Sequence, residues 1–159
     1  MNMLKSLQEV EIHARTALQR GARESFSAAE NCAWLEAVGY PGLKLLAEAL
    51  SDPISSISLS KDAIGLDLQN VSCVFLADEV DQMIASQGRL FLRNVRHGLY
   101  LLPGSLRGNY GIGCPVDPAF ALGGERSKNP YTEKLELAAR VGIEVDEASW
   151  QALEAIKDR

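Results

Sequence analysis

The chain has 159 residues, 47% of them hydrophobic and 23% charged, and a formal net charge of −5. That length and balance describe a globular domain able to bury roughly 70% of its unfolded surface, and they set aside intrinsic disorder. The mild acidity argues against general affinity for nucleic acid, which requires a basic surface to displace counterions.

The first third reads as three helices. Ser6 and Glu9 form the capping box S-x-x-E, and Leu7, Val10, Ala14, Ala17 and Leu18 follow at helical spacing until Gly21. Ser27 and Glu30 repeat the capping pattern, and Ala28, Cys32, Leu35 and Gly39 outline a short second helix. Pro41 suits a first helical position, and Leu43, Leu46, Ala47 and Leu50 give an i, i+3, i+4, i+7 stripe. Asp52-Pro53 breaks it.

The middle changes period. Ile64, Leu66 and Leu68 alternate with Gly65 and Asp67, as on a strand with one buried face. Val71 to Leu76 is a short apolar run that reads as a buried strand. Asp78, Glu79 and Asp81 suit the positive end of a helix with Val80, Met83 and Ile84 on its core face, ended by Gly88. Arg89 to Val95 alternates again, and Leu99 to Leu102 follows the break Arg96-His97-Gly98, predicting a hairpin with a three-residue loop. After a Gly/Pro-rich stretch and a polar linker, Asn129-Pro130 opens a helix running through Leu135 and Ala138 to Gly142. Asp146 caps a final helix, with Val145 and Trp150 as a hydrophobic staple and Trp150, Leu153 and Ile156 facing inward. The prediction is one α+β domain over residues 1–159. A small sheet with one helix and a Gly/Pro loop (52–124) is flanked by an N-terminal three-helix segment (1–51) and a C-terminal helix pair (125–159).

Cys32, Cys73 and Cys114 are far apart, odd in number and outside any C-x-x-C, so neither a disulfide framework nor a zinc knuckle is predicted. His13 and His97 lack ligand spacing, and no metal or cofactor is expected. The opening MNMLKSLQEVE reaches acidic residues before any apolar run, unlike a signal peptide, and no stretch approaches the roughly 20 apolar residues of a membrane span. A cytoplasmic protein follows.

The functional lead is a charge asymmetry. From Gln82 to Val116 there is no acidic residue and no lysine, but Arg89, Arg93, Arg96, Arg107 and His97 are present, and the window runs into PGSLRGNYGIGCPVDPAFALGG. Guanidinium groups bind carboxylate and phosphate bidentately, and glycines let backbone N–H groups approach an anion. Arg93, Arg96, Arg107, Gly111 and Gly113 are therefore the candidate ligand-binding residues. Against this, Arg89 and Arg93 alternate with Leu90 and Leu92 as would the solvated face of an edge strand. The glycines Gly108, Gly111 and Gly113 complete neither a dinucleotide fingerprint, since Val116 fills the third glycine position, nor a P-loop. A surface loop using glycine for positive φ is the plainer reading of that cluster. Cys114, between Gly113 and Pro115, is the candidate nucleophile of an alternative enzymatic reading, with His97 as its base. Trp34 and Trp150 read as core anchors.

The pattern Ser6-Leu7-Gln8-Glu9-Val10-Glu11, the Ala-rich second helix carrying Trp34-Leu35, and the Gly then Leu-rich third helix resemble a bacterial family catalogued as domain of unknown function 3726. GIEVDEASWQALEAI near the C-terminus is similar in character. The resemblance implies a bacterial source and no established activity. The opening is more distantly similar to the malate/L-lactate dehydrogenase family. Those enzymes carry a Ser-His-Gly element after the second helix where Val38-Gly39-Tyr40-Pro41-Gly42 stands here without histidine, which argues against a complete enzyme of that type. The function expected is a non-catalytic accessory subunit of a metabolic enzyme, or a module binding a small carboxylate or phosphate. Its partner would be a larger metabolic enzyme or a second copy of the chain, with no nucleic acid and no membrane. The alternative is a small enzyme in which Cys114 acts on an anionic substrate.

Overall fold

The computed structural model describes residues 1–23, 25, 27–63, 65–87, 90–108 and 131–158. In chain order these form β1 (Asn2–Lys5), α1 (Leu7–Arg20), α2 (Ala28–Ala37), α3 (Gly42–Ser51), β2 (Leu66–Asp67), α4 (Cys73–Gln87) and β3 (Leu92–Arg93). A 3-10 turn (Gly98–Leu101), α5 (Leu102–Arg107), α6 (Thr132–Val141), β4 (Ile143–Asp146) and α7 (Glu147–Glu154) follow. The class is α+β, and the chain divides into two compact units, Met1–Pro53 with Lys128–Arg159, and Ile54–Ser127.

In the first unit α1 begins as its sequence dictates. Ser6 Oγ accepts the Glu9 N–H at 3.1 Å while Glu9 Oε1 accepts the Ser6 N–H at 3.2 Å. Val10, Ala14, Ala17 and Leu18 are buried, and they meet the inner faces of α2 (Cys32, Leu35) and α3 (Leu43, Leu46, Leu50). Ser27 departs from the expected cap. Its backbone is helical (φ −114°, ψ −2°), so its hydroxyl points to no free N–H; it lies buried and accepts from Asn31 Nδ2 at 3.2 Å instead. β1 and β4 pair antiparallel, Met3 opposite Val145 and Lys5 opposite Ile143, a strand pair that the helical reading of both termini did not include. Asp146 caps α7 through the Ser149 N–H at 3.0 Å, as its position predicts. Neither tryptophan is a fully buried anchor: Trp34 meets Tyr131 edge to face, and Trp150 lies half-buried against His13.

In the second unit β2 and β3 are parallel, Leu66 opposite Leu92 and Asp67 opposite Arg93, with α4 as the crossover between them. Two expected strands are helical. Val71–Leu76 does not form a strand because Ser72 caps α4 there: its Oγ accepts the Val74 N–H at 3.2 Å, and Cys73, Val74, Leu76, Ala77 and Val80 make a buried helical stripe. Phe75 stands where a capping box has Glu, so that start carries only half the usual signature. The expected hairpin is also absent. His97 turns the chain in the left-handed region (φ 54°, ψ 44°), and Leu99–Leu102 continues as the 3-10 turn and the start of α5, with Pro103 in its first turn. Proline there lacks only an N–H that a helix start leaves unused, whereas within a central strand it would remove a ladder bond.

Among the described residues no helix is long and apolar enough to cross a membrane.

Candidate functional site

The carboxyl ends of β2 and β3 lead to a rim made of residues 67–72 and 94–97, and hydrogen bonds continue across it beyond the two-residue strands. Leu68 N donates to Arg93 O at 2.9 Å, Asn70 N to Asn94 O at 3.0 Å, and Cys73 N to Arg96 O at 2.9 Å, with Ser72 bridged to Arg96 in the parallel sense. In open parallel sheets with helical crossovers, ligands bind outside the carboxyl ends of the strands.

Backbone strain collects on this rim. Gln69, Asn70, Asn94 and His97 all have φ between 54° and 60°, leaving Ala22 as the one other non-glycine residue with positive φ among those described. A non-glycine residue there costs on the order of 1 kcal/mol or more unless its surroundings hold it. They do. Asp67 Oδ1 accepts both the Gln69 N–H at 2.9 Å and Asn94 Nδ2 at 2.8 Å, tying the two halves of the rim together. Those two donors, Asn94 first, hold the Asp67 carboxyl below its ordinary range. Ser72 Oγ lies 2.7 Å from His97 Nδ1. Since that oxygen already accepts from Val74, its own proton is free to go to Nδ1, leaving the remaining hydrogen of a neutral imidazole on Nε2.

The predicted ligand residues fall in different settings. Arg93 on β3 is in an ion pair with Asp62, whose carboxylate also accepts the Gly65 N–H at 2.8 Å. Its charge is balanced on the spot. Arg96, half-buried, stands on the rim beside Ser72 and is followed directly by His97. Arg107 is exposed in the last turn of α5. Gly111, Gly113 and Cys114 lie outside the described residues. Cys32 and Cys73 are fully buried.

Ser72, Asp67 and Asn94 were not singled out by sequence. Ser72 sat inside an apolar run, and the signal that could have found it was the polar pair Gln69-Asn70 just before. Among the described residues no three His, Cys, Asp or Glu side chains group as metal ligands. Ser72 is 2% exposed and its hydroxyl caps the helix start, which suits a support for His97 rather than a nucleophile.

In the first unit the capping carboxyls Glu9 and Asp146 are held below their ordinary range, by hydrogen bonds from Ser6 and Ser149 first, whereas Glu36 moves the other way. Glu36 Oε2 accepts the Leu43 N–H at 3.3 Å at the start of α3, and burial pushes its pKa up to about 7 against the pull of the Leu43 and Gly42 N–H groups. The chain matches no protein-family model, no curated protein and no solved structure.

Proposed function

We propose that the chain is a non-catalytic module that binds a small carboxylate or phosphate on the rim at the carboxyl ends of β2 and β3, with the Arg96 guanidinium as its cationic contact and the His97 Nε2–H as a hydrogen-bond donor. The observation that carries this reading is the bridge of Ser72 to Arg96 combined with the 2.7 Å contact of Ser72 to His97, which puts two potential anion contacts in sequence on one pre-formed turn. The rim's left-handed residues support it, because such strain persists where the surroundings over-determine it and collects at binding sites. Arg93 contributes less, being balanced by Asp62. The module serves a larger metabolic enzyme as an accessory subunit in a bacterial cytoplasm, a reading supported by the resemblance of the terminal helices and by the buried state of Cys32 and Cys73.

A thermal-shift screen of dicarboxylates and inorganic phosphate against neutral analogues tests it. Anions should stabilise the wild type, and Arg96→Ala should weaken binding about tenfold or more, since a charge-assisted hydrogen bond contributes roughly 1.5–3 kcal/mol. His97→Asn, which keeps a residue tolerant of the left-handed turn, should weaken it too. If no anion stabilises the wild type, the proposal is wrong.

A further inference from the structure

Asp67 ends β2 on the rim with one carboxylate oxygen bonded and the other open. Oδ1 takes both the Gln69 N–H at 2.9 Å and the Asn94 amide at 2.8 Å, whereas Oδ2 takes no hydrogen bond among the described residues. Held from two sides through Oδ1, the group is fixed in direction before any ligand arrives. The same bonds, that of Asn94 first, hold its pKa below the ordinary carboxylate value, so it is ionised at neutral pH. Arg93, across from it in register, does not neutralise it. That guanidinium is ion-paired with Asp62, and the two act on Asp67 in opposite senses.

The rim therefore carries fixed charge of both signs, the carboxylate of Asp67 and the guanidinium of Arg96. Asp67 stands opposite Arg93, three residues before Arg96, so at about 3.3 Å per residue the two positions are separated by roughly 10 Å along the chain. An arginine side chain and a ligand of a few carbon atoms cover that span. A bare anion held by Arg96 would also meet the negative charge of Asp67. An ammonium on the same ligand turns that repulsion into a charge-assisted hydrogen bond to Oδ2.

We infer that the rim takes a zwitterion, a small amino acid whose carboxylate is held by Arg96 and the His97 Nε2–H and whose ammonium is held by Asp67 Oδ2. This rests on the anion-binding reading above and narrows its ligand to one that carries both charges. Asp67 is then the residue that sets specificity, and Asn94 positions it.

Isothermal titration of the full chain tests it with alanine, β-alanine and γ-aminobutanoate, each set against the same acid without its amine. The best of the three should bind about tenfold or more tightly than its amine-free partner. Asp67→Asn separates the charge from the scaffold, because its Oδ1 still accepts from Gln69 and Asn94 while Oδ2 becomes an NH2 group. In that variant the amine should confer no advantage, and the amine-free acids should bind as well as to the wild type or better. If the acids bind the wild type and the amine adds nothing, this inference falls and the anion site stands. An advantage that survives Asp67→Asn also overturns it, since the ammonium then sits elsewhere. If neither the acids nor the amino acids bind, the anion site falls and this inference with it.

Discussion

His13 and Trp150, 137 residues apart, stack face to face with ring centroids 3.7 Å apart and planes within 2°, and His13 Nε2 reaches the Trp150 carbonyl oxygen at 2.9 Å. Since a carbonyl only accepts, Nε2 carries the proton. Lys5 lies over the same indole at 4.7 Å, so β1, α1 and α7 meet on one ring. Trp150→Ala should lower stability by about 2–3 kcal/mol, below the usual cost for a fully buried tryptophan because the ring is half exposed. A double-mutant cycle with His13→Ala should give a coupling of about 0.5–1.5 kcal/mol in urea unfolding; additivity would mean the stack contributes nothing.

Two serines with the same sequence signature should respond differently to aspartate. Ser6→Ala should cost about 1 kcal/mol and Ser6→Asp much less, because a carboxylate also caps α1. Ser27→Ala removes the partner of the buried Asn31 amide, whose Oδ1 already lacks one, and should cost about 1–3 kcal/mol. Ser27→Asp should be worse still, since it buries a charge with no cap to make. Denaturant midpoints of the four variants decide it. If Ser27→Asp is tolerated as well as Ser6→Asp, Ser27 is a cap after all.

Glu36 makes stability depend on pH. Its folded pKa of about 7 lies above the ordinary 4.5, so the folded state holds the proton more tightly than the unfolded chain. The stabilisation is fully present below the unfolded value and is lost as pH rises through about 7. Glu36→Gln, which keeps an acceptor for the Leu43 N–H, should flatten the decline between roughly pH 4.5 and 7 and be more stable than wild type at pH 8. Unfolding series at several pH values check this, and parallel curves for the two proteins would disprove it.

Gly65 has no substitute. With φ of 150° its missing Cβ would fall onto the carbonyl oxygen of Phe91, a backbone atom that cannot step aside without moving the residues leading into β3. Gly65→Ala should destabilise the second unit by about 3 kcal/mol or more. It should also speed amide exchange at Leu66, whose N–H bonds that same carbonyl at 2.7 Å. Unchanged exchange there would contradict it.

The helices that sequence revealed are those whose apolar stripe and start agree, α1 with its box and α7 with Asp146 above all. The strands were harder because they are short. β1 is a four-residue stretch with its side chains alternately exposed and half-buried, and the pattern Ile143-Glu144-Val145-Asp146 was absorbed into the capping of the next helix. Cys73 to Leu76 is apolar enough for a strand or a buried helix, and a run that short does not distinguish them. The rim was only half legible. Arginines near a turn can be counted in sequence, but nothing in Arg93 announces Asp62, 31 residues earlier. Nor does composition reveal which polar residues adopt a left-handed backbone.

The pairing of β1 with β4 sets an order of assembly. Met1 O accepts the Glu147 N–H at 3.1 Å, and Asn2 stands opposite Asp146, so β1 has partners that are made only after the whole of the second unit. Ile54–Ser127 is contiguous, and translation finishes it while the other unit still lacks β4 and α7. Domains form as units during synthesis, so the later unit should close first, with the apolar faces of α1–α3 waiting for β4 and α7. A nascent chain stalled before residue 143 should therefore be protease-sensitive across residues 1–53, and one extended past α7 should not.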